Sequence, residues 1–399
     1  MKFWSFRKAP ISTRSTEMKE ILIEGKYATA KVFAVDSDAH AIDQYAMAQI
    51  KMICDDEVSK DAKIRVMPDV HAGKVGPIGL TMKLAHDRII PNLIGPDIGC
   101  GISVTKLDIK KKKLTASDFE KLDKVIRENI PSGNKRHRDD KYFDPGVYRI
   151  LCGLYLDIDT EKVKRSFCTL GGGNHFIEVD QDEDGNYYLV IHTGSRSLGP
   201  MINTFYNNEG QKRLKDKGIE VPYEMTYIEG VLCTRYIRDV KLASTFAELN
   251  RFSIVSEIVS RMKWKILNFS DQPHNYFDTI EDVLHKGSTV ALGSEVYIPI
   301  NMKDGIIYGS PIRNDDWNNS LPHGAGRLLK RSEVANSVSL SMFKKEMDGI
   351  YSTSVTRETL DESPFAYRRI DEIKEAVSEV INVKGILKPV YNFKAGGNE

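Results

Sequence analysis

The chain has 399 residues, of which 57 are basic and 56 are acidic, and its formal net charge at pH 7 is +1. A chain so close to neutral has no overall field that attracts nucleic acid, so binding of RNA requires a local basic surface. Its five cysteines have no CxxC spacing, the first ten residues lack an apolar signal core, and no apolar run reaches membrane-spanning length. These features favour a cytoplasmic protein without membrane contact.

The N-terminal part of the sequence predicts a hairpin and a helix, followed by strands that border glycine-rich loops. In chain order, we expect a hairpin at 20–25 and 29–35, a helix at 41–56, a strand that opens the stretch 63–79, and a strand at 101–109. A further helix is expected at 116–129, with Ser117 as its candidate N-cap.

The rest of the chain mixes helices and strands in no regular order. We expect a basic loop at 131–146, a strand at 187–195, the longest helix at 236–266, strands at 288–293 and 295–300, helices at 332–347 and 367–381, and a strand at 387–393. Because no strict βαβ rhythm is present, the pattern predicts the α+β class rather than a doubly wound sheet. With no repeat or clear linker, we predict a single domain, 1–399, in which 395–399 form a loose tail.

Six candidate site residues lie in or beside bends that are rich in glycine or proline. The stretch "LIGPDIGCGISV" places an acid and a thiol three residues apart between glycines, and four of the nine histidines stand beside Gly, Asn or Pro at predicted element ends or where a turn begins. Active-site residues are common at such positions, although any one of these histidines alone is more often a surface or capping residue. Together they form the candidate set Asp97, Cys100, His175, His192, His274 and His323.

Carboxylate, thiolate and imidazole ligands together suit zinc, and also manganese, iron or cobalt. No close-spaced pair marks a zinc finger or a zinc-protease helix. The acid, the thiol and three histidines exceed the four ligands of one tetrahedral ion, and a thiolate can bridge two ions. Two-metal sites commonly serve phosphoryl and nucleotidyl transfer, so we expect a reaction of that kind. The alternative for Cys100 is a small buried residue beside glycines.

Glycine-rich turns point to phosphate as a ligand. The turns "LGGGNH", "HTGSRSLG" and "HGAGR" expose backbone N–H groups that cradle anions, and the last two contain Arg196 and Arg327, which can bind phosphate bidentately. Each turn alone could be structural, and the sequence has no Walker loop. His323, between Pro322 and Gly324, is either a further metal ligand or a nucleophile that attacks phosphorus.

Asp69 and His71 occupy alternate positions in "MPDVHAGKVGPIG", so their side chains point to the same side of an extended segment. They could orient metal ligands or move protons, and a structural turn is about equally expected. Basic residues cluster at 110–113, 134–138 and 327–332. Lysine runs usually mark a solvated face, but a divided basic surface could also bind an RNA backbone.

Seven motifs, in their order along the chain, resemble the RtcB family of RNA-splicing ligases. They are "MPDVHAGKVGPIG", "GPDIGCGISV", "LGGGNHFIEV", "IHTGSRSLG", "PHNYF", "PHGAGR" and the terminal "FK", and they span roughly residues 60–394. The resemblance implies an α+β fold in which packed β-sheets, surrounded by helices, enclose a deep metal-binding cleft.

The resemblance also implies how the candidate ligands divide between two manganese ions. Asp97 and Cys100 bind manganese, and the Cys100 thiolate bridges the two ions. His175 completes the first ion, whereas His192 and His274 complete the second.

The resemblance implies the covalent role of His323 and the contacts to the nucleotide, whereas Asp69, Arg196 and Arg327 are expected from the patterns described above. The catalytic group is His323, which becomes covalently guanylylated, with Asp69. The guanine nucleotide is held by Asn174, His175, Phe176, Glu178, His274, Asn275, Pro299, Asn301, Met302, His323, Gly324, Ala325, Gly326 and Lys394. RNA or phosphate is bound by Arg196 and Arg327.

The implied activity is a ligase that depends on GTP and manganese. It joins RNA with a 3′-phosphate or 2′,3′-cyclic phosphate to RNA with a 5′-hydroxyl. GMP passes from GTP to the histidine and then to the RNA 3′-phosphate, which the 5′-hydroxyl attacks. We expect a monomer that serves RNA repair or tRNA splicing.

The sequence departs from the family pattern in three places. The usual glycine-serine-methionine-glycine nucleotide loop reads "PINMKDG", residues 299–305. A segment with a histidine and an acid, expected before "DESPFAY", reads "YSTSVTRETL", and five residues follow Lys394. Two other functions stay open: a dimetal phosphoesterase that acts on RNA ends, and a non-catalytic RNA-binding protein with a decayed site.

Overall fold

A computed structural model of the protein describes residues 18–35, 42–111, 113–143 and 145–395. The helices of the described residues are α1 (Gln44–Cys54), α2 (Ala116–Asn129), α3 (Pro145–Cys152), α4 (Thr160–Ser166), α5 (Leu198–Asp216), α6 (Val231–Met262), α7 (Arg331–Ser337), α8 (Leu340–Glu346) and α9 (Ile370–Ala376). Within these same stretches, no helix is both long and apolar enough to cross a membrane.

Most of the strands belong to two sheets. The strands are β1 (Met18–Glu24), β2 (Thr29–Val35), β3 (Lys63–His71), β4 (Ile78–Lys83), β5 (Arg88–Ile89), β6 (Gly101–Asp108), β7 (Phe176–Gln181), β8 (Tyr187–Thr193), β9 (Ile228–Glu229), β10 (Lys265–Pro273), β11 (Asn275–Asp278), β12 (Val283–Lys286), β13 (Ser288–Val290), β14 (Val296–Asn301), β15 (Gly305–Pro311), β16 (Ser320–Pro322) and β17 (Ile381–Lys394). One sheet has the order β1-β2-β3-β4-β12-β11, and the other has the order β10-β6-β8-β7-β17-β15-β14. The mixture of helices and largely antiparallel sheets confirms the predicted α+β class.

The antiparallel register of the seven-stranded sheet gathers the candidate ligands at one end of its strands. Gly101, at the start of β6, pairs with Thr193 at the end of β8 and with Pro273 at the end of β10. Phe176, at the start of β7, pairs with His192. Strand starts and strand ends alternate between neighbours in an antiparallel sheet. The bend at 97–100 and the residues next to β7 and β10 therefore meet at this end.

The bend at 97–100 is pressed against the long helix α6. Gly99 has a φ of +71°, and a Cβ atom at this position would lie 2.7 Å from the Cα of Ser244 and 2.9 Å from the Cβ of Ala247. Only glycine combines this backbone conformation with such a close approach. The glycines of the bend thus allow its acid and thiol to be fixed by the packing of a helix.

Several predicted elements are confirmed with small shifts. The hairpin is β1 and β2, the first helix is α1, and the strands expected near Asp69 and Cys100 are β3 and β6. The predicted cap of α2 is wrong. The N-cap is Thr115, whose backbone N–H and hydroxyl both donate to the carboxylate of Asp118, and Ser117 lies inside the first turn.

The late helices are shorter than predicted. The helix predicted at 332–347 is two helices, α7 and α8, because Val338 is extended and the Ser339 hydroxyl accepts a hydrogen bond from the N–H of Met342 to begin α8. Of the helix predicted at 367–381, only Ile370–Ala376 is helical, and the final strand begins at Ile381 instead of residue 387. Lys112 of the basic run, and 396–399 of the predicted tail, lie outside the described residues.

The longest helix begins and ends earlier than its apolar pattern predicts. It is α6, which ends at Met262 because Lys263 adopts a left-handed conformation with φ +59°. The next nine residues after Trp264 form β10, which supplies the edge strand beside β6. Helix α5 was not predicted, because glycine, proline and three asparagines within its first eleven residues obscure the helical period.

Candidate active site

Cys100 belongs to two groups of metal-ligand atoms. Its Sγ lies 3.5 Å from Nε2 of His175 and 3.3 Å from Nε2 of His192. One group is Asp97, Cys100 and His175, and the other is Cys100, His192 and His274. Within each group the ligand atoms lie within 4.8 Å of one another, close enough to hold an ion. The thiol common to both groups is the arrangement that two ions bridged by one sulfur would need.

The buried side chain of Arg251, in α6, ties together the segments that carry these ligands. Its Nε and NH2 donate to the two carboxylate oxygens of Asp271 at 2.6 and 2.7 Å. Its NH1 donates to the carbonyls of Gly99 at 2.8 Å and Thr193 at 2.6 Å. One guanidinium thus joins the bend at 97–100 to β8 and β10. Sequence reasoning missed this residue, because nothing in the helical pattern distinguishes it from a solvated arginine.

Hydrogen bonding determines how His192 faces the other ligands. Its Nδ1 lies 3.2 Å from the carbonyl oxygen of Asn174, which can only accept, so Nδ1 carries the proton and Nε2 presents a lone pair. That lone pair points at Cys100 and at Nε2 of His274, 3.3 Å away. Burial lowers the pKa of both histidines well below the usual range, so both rings are neutral. Neutral nitrogens that converge in this way fit the donor set of a transition metal.

His175 has the opposite tautomer in this structure. Its Nδ1 lies 3.4 Å from NH1 of Arg196, which can only donate, so the ring proton lies on Nε2, 3.2 Å from Oδ2 of Asp97. A metal at Nε2 would require that proton to leave or to move to Nδ1, where the guanidinium of Arg196 now lies. Arg196, predicted to bind phosphate, therefore contacts a candidate metal ligand here.

Asp69 and His323 form a close pair although they are 254 residues apart in sequence. Oδ2 of Asp69 lies 2.6 Å from Nδ1 of His323, and the Asp69 side chain is fully buried. The carboxylate holds the proton on Nδ1, which leaves the lone pair of Nε2 free. The His323 ring lies 4.7 Å from the His274 ring, between centroids, so the pair borders the ligand groups.

His71 supports this pair from the same strand. Its Nδ1 lies 2.8 Å from the backbone carbonyl oxygen of Asp69, so Nδ1 donates. Burial lowers the pKa of His71 to about 4, and the ring is neutral at physiological pH. Because the His71 ring is neutral, it does not offset the negative charge of the Asp69 carboxylate. That carboxylate can therefore act as the hydrogen-bond acceptor for His323.

A cavity of about 1010 Å³ opens beside His323. The predicted site residues that line it are Asn174, Phe176, Glu178, His192, Pro299, Asn301, Met302, His323, Gly324, Ala325, Gly326, Arg327 and Lys394. His175, His274 and Asn275, which were predicted to touch the nucleotide, are not among its lining residues. A cavity of this size can accommodate a nucleotide.

Glu178 faces this cavity from β7. Nδ2 of Asn392 donates to its Oε2 at 2.5 Å. Burial raises the pKa of Glu178 and of the neighbouring Asp180 above the usual values of these groups. The side chain is therefore a buried hydrogen-bonding group in the wall of the cavity.

The "PINMKDG" loop is closed by hydrogen bonds of its own. Oδ1 of Asn301 accepts from the N–H groups of Lys303 and Asp304, both at 2.9 Å, and its Nδ2 donates to Oδ2 of Asp304 at 2.8 Å. Met302 is 2% exposed and packs against Val334 and its neighbours. The side chain of Asn301 therefore forms its hydrogen bonds within the loop.

Glu362 is a buried carboxylate that sequence reasoning missed. Nζ of Lys394 lies 2.5 Å from it, and NH1 of Arg331 and Arg327 lie 2.8 and 3.2 Å from it. The hydroxyl of Tyr367 donates to it at 2.6 Å. These charges hold its pKa well below the usual range, although burial alone would raise it. The block "DESPFAY", used only as a landmark in the sequence, contains Glu362 and the cavity residue Tyr367.

Comparisons with known proteins identify the family of this chain. A family model described as tRNA-splicing ligase RtcB matches residues 56–150 and 156–395. The RNA-splicing ligase RtcB1 of Escherichia coli strain ATCC 25922 is 29% identical over 382 residues, which cover 83% of this chain and 90% of that protein. The tRNA-splicing ligase RtcB of Aeropyrum pernix is 25% identical over 412 residues, which cover 79% of this chain and 84% of that protein. Because the family model covers well over half of the chain, the protein belongs to the RtcB family.

Proposed function

We propose that this chain is a GTP- and manganese-dependent RNA ligase that joins a 3′-phosphate or 2′,3′-cyclic phosphate end to a 5′-hydroxyl end. The observation that carries the proposal is the Asp69–His323 pair, which lies beside two ligand groups that share Cys100 and at the wall of a nucleotide-sized cavity. Membership of the RtcB family supports the same reaction class. The work of the enzyme is RNA repair or tRNA splicing.

The first reaction forms a bond between His323 and GMP. Nε2 of His323 attacks the α-phosphorus of GTP, a nitrogen–phosphorus bond forms, and pyrophosphate leaves. Asp69 accepts the Nδ1 hydrogen bond and stabilises the positive charge that develops on the ring. The two groups of residues that share Cys100 would hold the metal ions, which would supply positive charge to offset that of the phosphate oxygens.

Two further transfers complete the joining of the RNA ends. An oxygen of the RNA 3′-phosphate attacks the phosphorus held by His323, which forms an RNA–GMP anhydride and frees the ring. The 5′-hydroxyl of the second RNA then attacks the 3′-phosphorus, and GMP leaves. A 2′,3′-cyclic phosphate is first opened by water, so that it enters this sequence as a 3′-phosphate.

The decisive experiment is incubation with manganese and α-labelled GTP, followed by denaturing electrophoresis. The expected result is that label stays with the chain, and that it is lost as a joined product appears when RNA ends with a 3′-phosphate and a 5′-hydroxyl are added. Release of phosphate from RNA ends without GTP, and without labelled protein, would instead indicate the dimetal phosphoesterase. RNA binding with neither activity would indicate the decayed-site alternative.

We expect two manganese ions per chain, because one shared sulfur joins two groups of three ligands. His175→Ala removes a ligand of one group only, so it should lower the count from two ions to one, and His192→Ala should do the same for the other group. Elemental analysis after equilibration with manganese measures the count. His86→Ala, an exposed histidine away from both groups, is the control. A lone zinc ion under saturating manganese, with the Cys100 thiol still open to alkylation, would refute a two-ion site.

GTP should be preferred over ATP, but by less than in ordinary members of the family. Asn301 stands where the family's nucleotide loop has serine, and its amide already forms hydrogen bonds within the loop, so we expect this side chain to contribute no hydrogen bond to the base. A hydrogen bond contributes about 1 kcal/mol, which corresponds to about a fivefold loss of discrimination. Competition of ATP against labelled GTP, run beside the relative from Escherichia coli, measures it. Discrimination equal to that of the relative would contradict a role for this loop.

A further inference from the structure

Arg368 is a buried guanidinium in the wall of the cavity. The residue is 4% exposed, and it follows Tyr367 at the start of the segment that leads into α9. Its Nε is enclosed without a hydrogen-bond partner, and within the described residues the guanidinium forms no ion pair with a carboxylate. Burial of a charge without an ion-pair partner is unfavourable in free energy, so we expect a ligand of opposite charge to bind there.

Three other cations of the cavity wall differ from Arg368 in this respect. Lys394, Arg327 and Arg331 all contact the carboxylate of Glu362. Their positive charge is therefore partly balanced within the protein. Arg368 is not in that network, and its charge remains available for a ligand.

The position of Arg368 is fixed close to the His323 pair. Its backbone N–H donates to the carbonyl of Gly326 at 3.1 Å. Gly326 in turn lies against Asp69, because a Cβ at Gly326 would be 2.5 Å from the Asp69 carbonyl oxygen. Burial lowers the pKa of Arg368, and the charges of Glu372 and Asp69 offset this only in part.

We propose that Arg368 binds the phosphate group that reacts at His323, whether that group belongs to the nucleotide or to the RNA 3′ end. The guanidinium presents parallel N–H donors that match phosphate oxygens bidentately, and the low exposure of the site strengthens such a contact. This inference rests on the proposed function, since it takes its ligand from the substrates of that reaction.

Two assays separate the two sources of phosphate. Arg368→Gln keeps a polar side chain and removes the charge, and it should lower kcat/KM by about a hundredfold in the step that uses the contact. A loss confined to formation of the GMP adduct assigns the contact to the nucleotide. A loss confined to transfer of GMP from the protein adduct to an RNA 3′-phosphate assigns it to the RNA. Rates equal to the wild type in both assays overturn the proposal.

The chain offers a matched control in the next residue. Arg369 is 74% exposed at its side chain and pairs only loosely with Asp371, so Arg369→Gln removes the same charge outside the cavity. This variant should keep both rates. Equal losses in the two variants would mean that net charge, rather than a phosphate contact, is responsible, and would overturn the proposal.

Calorimetry of inorganic pyrophosphate binding tests the contact without catalysis. A second variant, Arg368→Lys, is used in case Arg368→Gln does not fold. Arg368→Lys keeps the charge but loses the parallel donors, and it should weaken pyrophosphate binding about tenfold. Unchanged pyrophosphate affinity in Arg368→Lys, together with wild-type rates of this variant in both assays, would overturn the proposal. If the wild type binds pyrophosphate through Arg368 but forms no GMP adduct, the ligase function fails while the phosphate site stands.

Discussion

Cys100→Ala is expected to abolish transfer of GMP to the protein, with a loss of at least about 10³-fold, while the chain stays folded. The sulfur is the one atom common to both ligand groups, so its removal takes a ligand from each ion at once. The residue is 1% exposed, and alanine fills most of its volume without a new polar group. The cost to the free energy of unfolding is therefore about 1–2 kcal/mol, the usual range for a small buried change.

Melting temperature, bound manganese and GMP-adduct formation are measured on the same sample of Cys100→Ala. Cys233→Ala is the matched control, because Cys233 is a free thiol that is 2% exposed and lies in α6 outside both ligand groups. The control should keep the metal and the adduct. A Cys100→Ala protein with normal adduct formation, or one that no longer folds, would each contradict the assignment of the sulfur to the metal ions.

The contrast between these two cysteines shows what could be predicted from the sequence. Cys100 stands three residues from Asp97 in a glycine-rich bend, and this local pattern is visible without a structure. The proximity of this bend to His192 could also be predicted roughly, because both lie near ends of predicted strands. The structure adds the register, in which Ile102 of β6 pairs with His192 of β8.

Contacts between distant segments could not be predicted from the residues themselves. Arg251 reads as one more charge on a long helix, and only the packing of α6 under the bend brings it to Gly99 and Asp271. Glu362 likewise has no local feature that links it to Lys394, 32 residues later. A helical or strand period describes which face of an element is buried, but not which element covers it.

The pairing of Asp69 with His323 is another contact between distant segments that could not be predicted from the sequence. Asp69 lies in β3 of the six-stranded sheet, whereas His323 follows β16, which pairs with β13. From the sequence, Asp69 could equally have belonged to a structural turn, oriented a metal ligand or moved a proton. The distance of 2.6 Å to Nδ1 favours a single role, which is to orient the ring of His323.

His323→Ala is expected to form no GMP adduct above background, a loss of at least about 10³-fold, and to keep both metal ions. The ring is the only group removed, and the ligand groups that share Cys100 do not include it. Its side chain is 16% exposed, so the space that it leaves opens to the cavity. We therefore expect little change in the melting temperature.

The variant should nevertheless seal an RNA whose 3′ end already carries GMP, because that substrate bypasses the missing step. The alternative is that His323 is a sixth metal ligand. The centroid of its ring lies 4.7 Å from that of the His274 ring, so His323 is close enough to the second ligand group for this alternative to be tested. In that case His323→Ala would lose metal and would fail on the preactivated RNA as well.

Sealing of preactivated RNA and the metal count, measured on one sample of His323→Ala, therefore separate the two roles. His274→Ala provides the comparison, because removal of that ligand should lower the metal count and stop both steps. If His323→Ala behaves like His274→Ala, the nucleophile assignment ends. If it seals the preactivated RNA with both ions in place, His323 acts only in the transfer of GMP, and the free lone pair that Asp69 preserves on Nε2 is what performs it.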